Sequence, residues 1–125
     1  FSNLNIENIV VTGAFNDCVD MSYGNYNIGN LKLTQCGDKA ISVGESSIFK
    51  GENVQIQNSK VGIATKDSSL SNVNKVEIFN TSLCAAAYRK KQEFYGAKIN
   101  INKFKCDKNE IYYQNGSKIK IINEL

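Results

Sequence analysis

The chain repeats itself about every 22 residues, and this period limits what it can fold into. Short apolar pairs separated by one polar residue recur along it. Successive members of the series Ile9, Leu31, Val54 and Val76 lie 22, 23 and 22 residues apart. A second series, Val19, Ile41, Ile63 and Ala85, keeps a spacing of 22 throughout. Residues 39–48 lie over residues 61–70 without a gap. Both stretches carry an Ile between small residues, then an acid, Ser-Ser and an aliphatic (Glu45-Ser46-Ser47-Ile48 over Asp67-Ser68-Ser69-Leu70). Alternation with period two signals β-strands. A unit of this length cannot bury an apolar face alone, but stacked copies bury a continuous core. The chain therefore reads as a solenoid built from strands.

Leucine-rich repeats share the length, but their Leu-x-x-Leu-x-Leu frame with a fixed Asn is not kept. The better fit is an all-β, right-handed, single-stranded parallel β-helix of about five coils with about 22 residues per coil, each coil stacked on the last at about 4.8 Å. The coils are expected at 3–24, 25–46, 47–69, 70–96 and 97–117, with 118–125 starting a further strand. Coil four is longer because Tyr88–Tyr95 is inserted, the one locally charged and aromatic stretch, expected as an excursion or a single helical turn. In period and pattern, residues 3–117 resemble the pectin-lyase-like β-helix superfamily. Segments 38–45, 62–69 and 87–91 also resemble β-helix modules of bacterial surface proteins that accompany spore-coat-H-like kinases. These resemblances imply a bacterial, surface-associated module and a polysaccharide as ligand or substrate.

Alternation assigns the interior. Expected ladders are Val19/Ile41/Ile63/Ala85, Met21/Val43/Thr65/Ala87, Ile9/Leu31/Val54/Val76, Val11/Leu33/Ile56/Ile78 and Tyr26/Ile48/Leu70. The outward set is then small: Cys18/Ala40/Gly62/Cys84 and Asp20/Ser42/Ala64/Ala86. Such a face suits close approach by another chain, domain or polysaccharide, or cover by the same chain. Asparagine makes up about one residue in seven. It tolerates left-handed backbone and bonds its own backbone in turns, so it is read as marking tight turns.

Four cysteines raise the possibility of disulfides. Cys18 and Cys84 fall in one column three coils apart, and Cys36 and Cys106 are read as sharing another. Three coils span about 14 Å, beyond bridging distance. The expectation is four free thiols, which suit a reducing compartment, so a cytoplasmic location stays open beside the cell surface. No metal site is expected, since there is no Cys-x-x-Cys and no histidine.

The absence of histidine also removes every imidazole-dependent triad. The net charge is +3, and only Arg89 among fifteen basic residues is arginine, which leaves few tools for nucleic-acid recognition. No apolar run is long enough to span a membrane. Glu45 and Asp67 occupy equal slots on neighbouring coils, which would bring their carboxylates about 5 Å apart, the separation used by retaining glycosidases. With Lys66 as a base they form the candidate catalytic set. Calcium enters only if the chemistry is that of a lyase. Asp20, Lys39, Tyr88, Lys90, Phe94 and Tyr95 are the candidate binding residues, the aromatics as a sugar-stacking platform. Phe94 and Tyr95 equally suit anchoring the insert to the rod. A surface ion-pair ladder would give the same charge pattern.

The leading expectation is a non-catalytic β-helix module, 1–125, forming the C-terminal part of a larger protein and binding polysaccharide or a neighbouring domain. The chain starts strand-like at Phe1-Ser2-Asn3-Leu4 without a capping helix, which favours a longer parent. A lyase or hydrolase acting on an acidic glycan is one alternative. A structural unit that self-associates is another.

Overall fold

Eleven strands alternate between a long and a short type. The computed structural model describes the backbone of residues 2–125 and the side chains from residue 3 onward, so Phe1 of the expected strand-like start lies outside the described residues. The long strands are β1 (Ser2–Ala14), β3 (Gly24–Cys36), β5 (Ile48–Gln57), β7 (Leu70–Phe79), β9 (Lys98–Cys106) and β11 (Lys118–Glu124). The short ones are β2 (Val19–Ser22), β4 (Lys39–Gly44), β6 (Val61–Lys66), β8 (Leu83–Tyr88) and β10 (Ile111–Tyr113). Each pairs in parallel with its counterpart one coil away, giving a six-stranded and a five-stranded sheet. The chain is thus a parallel β-solenoid of about 22 residues per turn. It has about six turns rather than five, because β11 pairs along β9 from Lys118↔Lys98 to Glu124↔Phe104 and so completes a sixth layer of the long sheet.

Four of the five expected ladders form. Val19 pairs with Ile41, Ile41 with Ile63, and Ile63 with Ala85. Ile41, Val43, Leu33, Ile56, Ile63, Val76 and Ile78 are fully buried, each contributing about 1.5–3 kcal/mol relative to exposure. The fifth ladder is corrected by one residue. Tyr26 sits over Phe49, then Ser71 and Ile99, while Ile48 and Leu70 stack with Asn25 on the outer side. The turn Glu45-Ser46-Ser47 is one residue longer than Tyr23-Gly24 in the coil before, and this shifts the register. A further interior column, Ile28/Gly51/Val73/Ile101/Ile121, was not anticipated.

The cysteine expectation is overturned. Cys18 bonds Cys36 and Cys84 bonds Cys106, with Cα separations of 5.4 and 6.3 Å. The bridged cysteines stand in different columns, so the spacing of coils within one column does not separate them. Cys106 stands in the Leu33/Ile56/Ile78 column and not with Cys36. At the bend between long and short strands the columns converge, so each bridge joins the start of a short strand, or the residue just before it, to the end of the long strand of the next coil. The same bend turns the Cys18/Ala40/Gly62/Cys84 column inward, against the outward expectation. Ala40 and Cys84 are buried in the core. A Cβ on Gly62 would lie 2.3 Å from the Cys84 carbonyl oxygen and 2.9 Å from Ile78 Cδ1.

The Ser-Ser motif and the asparagines also acquire a physical meaning. Glu45-Ser46 and Asp67-Ser68 are consecutive left-handed residues that turn the chain. The serine after each pair is buried, and Ser69 Oγ accepts the Ser47 N–H at 3.1 Å. At the opposite corner Thr81 Oγ1 accepts the Ser59 N–H at 3.4 Å. These hydroxyls give buried amides the partner they need. Asn58, Asn80 and Asn109 do occupy left-handed turn positions. Most other asparagines instead stand on long strands as side-chain ladders, such as Asn25 Nδ2 to Asn3 Oδ1 at 2.9 Å and Asn102 Nδ2 to Asn74 Oδ1 at 3.0 Å. Parallel in-register stacking puts identical amides one layer apart, the geometry that favours such ladders.

Candidate functional site

The residues singled out in the sequence fall on two neighbouring surfaces. The first is the turn beside the insert. Asp67 is fully buried. Its Oδ1 accepts the backbone N–H groups of Lys90 at 2.7 Å and Lys91 at 2.9 Å, while Oδ2 has no partner. The carboxylate holds down the start of the insert. Glu45, in the equivalent slot one coil earlier, turns to other partners. It accepts from Ser22 Oγ at 3.0 Å and from Lys91 Nζ at 2.9 Å. The Lys91 ammonium, followed by the Ser22 hydroxyl, holds the Glu45 carboxyl below the usual carboxylate range, and Glu45 raises Lys91 in return.

The insert is an excursion closed by a turn, with Phe94 N–H donating to the Lys91 carbonyl at 3.2 Å and no helix. Tyr95 returns it to the rod through Tyr95 N–H to Ser68 Oγ at 2.7 Å and Ser68 N–H to the Tyr95 carbonyl at 2.9 Å. Phe94 packs on Tyr23, ring centroids 6.4 Å apart. The Tyr95 ring is 81% exposed and Lys90 is exposed. Tyr88 ends a strand of the short sheet and is half-buried.

The second surface is the outer side of the short sheet. Ser42 and Ala64 are fully buried and Ala86 nearly so. The Lys66 stem lies over Gly44, and its ammonium donates to Ser42 Oγ at 3.2 Å. Burial, then the charge of Lys39, pushes the Lys66 amine below the usual lysine range. Burial works to lower Lys39 as well, but its hydrogen bond to Asp38 at 2.8 Å and the charge of Asp17 outweigh it and raise the amine. Asp38 is lowered by the same hydrogen bond. Burial raises Tyr88. Asp20 is exposed in the Ser42 column. Lys66 therefore belongs to this face, while Glu45 and Asp67 are engaged at the turn.

A third feature was missed from sequence. The long sheet bends where two consecutive side chains, such as Asn74 and Lys75, both turn outward. A trough follows this bend along the rod. One part, about 300 Å³, is walled by Asn72, Asn74, Asn100 and Asn102 over a floor of Val73 and Ile101. It shares Lys50, Gly51 and Glu52 with a second part of about 460 Å³ bounded by Asn5, Glu7, Asn27 and Gly29. The signal in the sequence was the alternation of Asn with buried aliphatics, as in Asn72-Val73-Asn74 and Asn100-Ile101-Asn102.

Among the described residues no three His, Cys, Asp or Glu side chains converge on one point, and no helix is long and apolar enough to cross a membrane. Fold and trough together define a disulfide-stapled parallel β-solenoid with an amide-lined groove. No protein-family model, curated protein or solved structure matches the chain.

Proposed function

We propose that the protein is a non-catalytic β-solenoid module that binds an extended polysaccharide in the trough of the long sheet. The observation that carries the reading is the continuity of that trough across successive coils. A ladder asparagine uses one N–H or one carbonyl lone pair on its neighbour and keeps the rest of its hydrogen-bonding capacity for a ligand. Sugar hydroxyls, which both donate and accept, match such a wall. Two disulfides favour an oxidising setting, in keeping with a surface-associated or extracellular protein. Electrophoresis through gels containing neutral or acidic polysaccharide tests the reading. Retardation by one of them, relieved by Asn72→Ala with Asn100→Ala, is expected. Free migration through every gel contradicts it.

One observation favours a second reading, an enzyme acting on an acidic glycan. Lys66 is a half-buried amine that donates to Ser42 Oγ, and burial, then the charges of Lys39 and Lys90, lowers its proton affinity, the character needed of a lysine base. Under that reading the chain releases unsaturated products from polygalacturonate and Lys66→Ala does not. Absence of turnover in the unaltered protein removes it.

A further inference from the structure

Charge is distributed unevenly along the rod. Residues 2–24 contain Glu7, Asp17 and Asp20 and no lysine or arginine, whereas residues 97–125 contain six lysines against three acids. On the long sheet this gradient follows the flanks of the trough. One flank begins with Asn3 and Asn25 and ends with Lys98 stacked on Lys118. The other begins with Asn8 and Asn30, carries Lys75 stacked on Lys103, and ends on Asn123. Lys120 follows Asn100 in the wall itself.

Like charges directly opposite one another on a sheet are destabilising. Three lysines meet carboxylates: Lys39 meets Asp38 at 2.8 Å, Lys91 meets Glu45 at 2.9 Å, and Lys75 has Glu77 at 3.6 Å. Among the described residues, no carboxylate lies within 4.0 Å of the ammonium groups of Lys98, Lys103, Lys118 or Lys120. All four are exposed. They frame the half of the trough whose amides, on Asn72, Asn74, Asn100 and Asn102, come as stacked pairs. The other half also has a stacked pair, Asn5 and Asn27, and adds Glu7, while Lys50 and Glu52 stand where the two halves meet.

We infer that the C-terminal half of the trough binds a polyanionic glycan laid along the rod. Its acidic groups meet the ammonium groups of Lys98, Lys103, Lys118 and Lys120, and its hydroxyls meet the stacked amides. The inference rests on the module reading and names its ligand class and polarity. Lysine point charges neutralise the ligand, so no divalent cation is required. Carboxylated and sulfated glycans offer the same chemistry. With lysines and stacked amides in place of arginine forks and stacking aromatics, the surface suits an acidic glycan better than a nucleic acid.

Calorimetric titration of the full chain with oligogalacturonate, a sulfated galactan oligosaccharide, a neutral gluco-oligosaccharide of equal length and single-stranded oligothymidylate tests it. The expected result is binding of one or both acidic glycans, unaffected by a chelator and weakened by added salt. Lys98→Glu with Lys118→Glu weakens that binding about tenfold or more, while Lys60→Glu, at a distant corner, leaves it unchanged. Circular dichroism of both variants confirms the fold. Tighter binding of the neutral oligosaccharide, unaffected by the Lys98/Lys118 reversal, overturns the inference and leaves the module reading standing. Preferential binding of the oligothymidylate overturns the inference. Failure of every glycan overturns both.

Discussion

Asp67 shows how one residue type in one slot acquires a role that position alone does not reveal. Glu45 and Asp67 share a column, a left-handed backbone and a following Ser-Ser, yet one carboxylate is exposed enough to pair with Lys91 and the other is buried under Lys90 and Lys91. The difference comes from the insert, which leaves the rod after Tyr88 and places its amides over Asp67. Replacing Asp67 with Ala leaves two amides without their acceptor, at a cost of about 1–3 kcal/mol. The expected outcome is a lower melting temperature and faster tryptic cleavage after Lys90 and Lys91, and Asp67→Asn, which keeps the acceptor oxygen, restores much of both. Glu45 supplies a pH dependence. Its carboxyl is held below its unfolded value, so the tie to Lys91 is fully present above the ordinary carboxylate range and is lost as pH falls through the lowered folded value. Cleavage of the insert by an acid-active protease should therefore rise over that window, and Glu45→Gln should flatten the rise.

At the scale of the strand and corner, the period carried most of the information. The interior columns containing Ile41, Val43, Leu33 and Ile56 were legible because burial imposes strict alternation. The Tyr26 column slips by one residue because the 23-residue step between Leu31 and Val54 holds its extra residue in the Glu45–Ser47 turn, and the period alone does not say where in a coil such a residue sits. The disulfides were illegible for a related reason: columns are parallel along the rod but converge across a bend, and a one-dimensional repeat does not report the bend angle. The trough was hidden because asparagine is a turn residue by local preference and becomes a ladder residue only when coils stack. Two measurements address this scale. Ser69→Ala strands the buried Ser47 amide and should cost about 1–3 kcal/mol, while Asn27→Ala, on an exposed ladder, should cost well under that. Each disulfide closes a short loop, 18 or 22 residues in separation, and contributes about 3 kcal/mol in the loop-entropy account. Replacing either pair with serines should lower the denaturation midpoint accordingly, and reduction should leave those variants little further to lose beyond the remaining bridge.

Over the whole molecule, the stacking of coils turns a sequence repeat into two extended surfaces of different character. The short-sheet face carries the chain's own Lys66 stem across it, whereas the long-sheet trough stays open along the rod, neutral to acidic at one end and lysine-framed at the other. A solenoid is stabilised by nearest-neighbour contacts, so a ligand laid across several coils protects all of them together. Hydrogen exchange of the chain with and without bound glycan tests this most directly. The account predicts added protection concentrated in residues 70–79, 98–106 and 118–124, and none at residues 39–44 and 61–66. Protection confined to the short strands around Lys66 and Tyr88, with the long sheet unchanged, would contradict it.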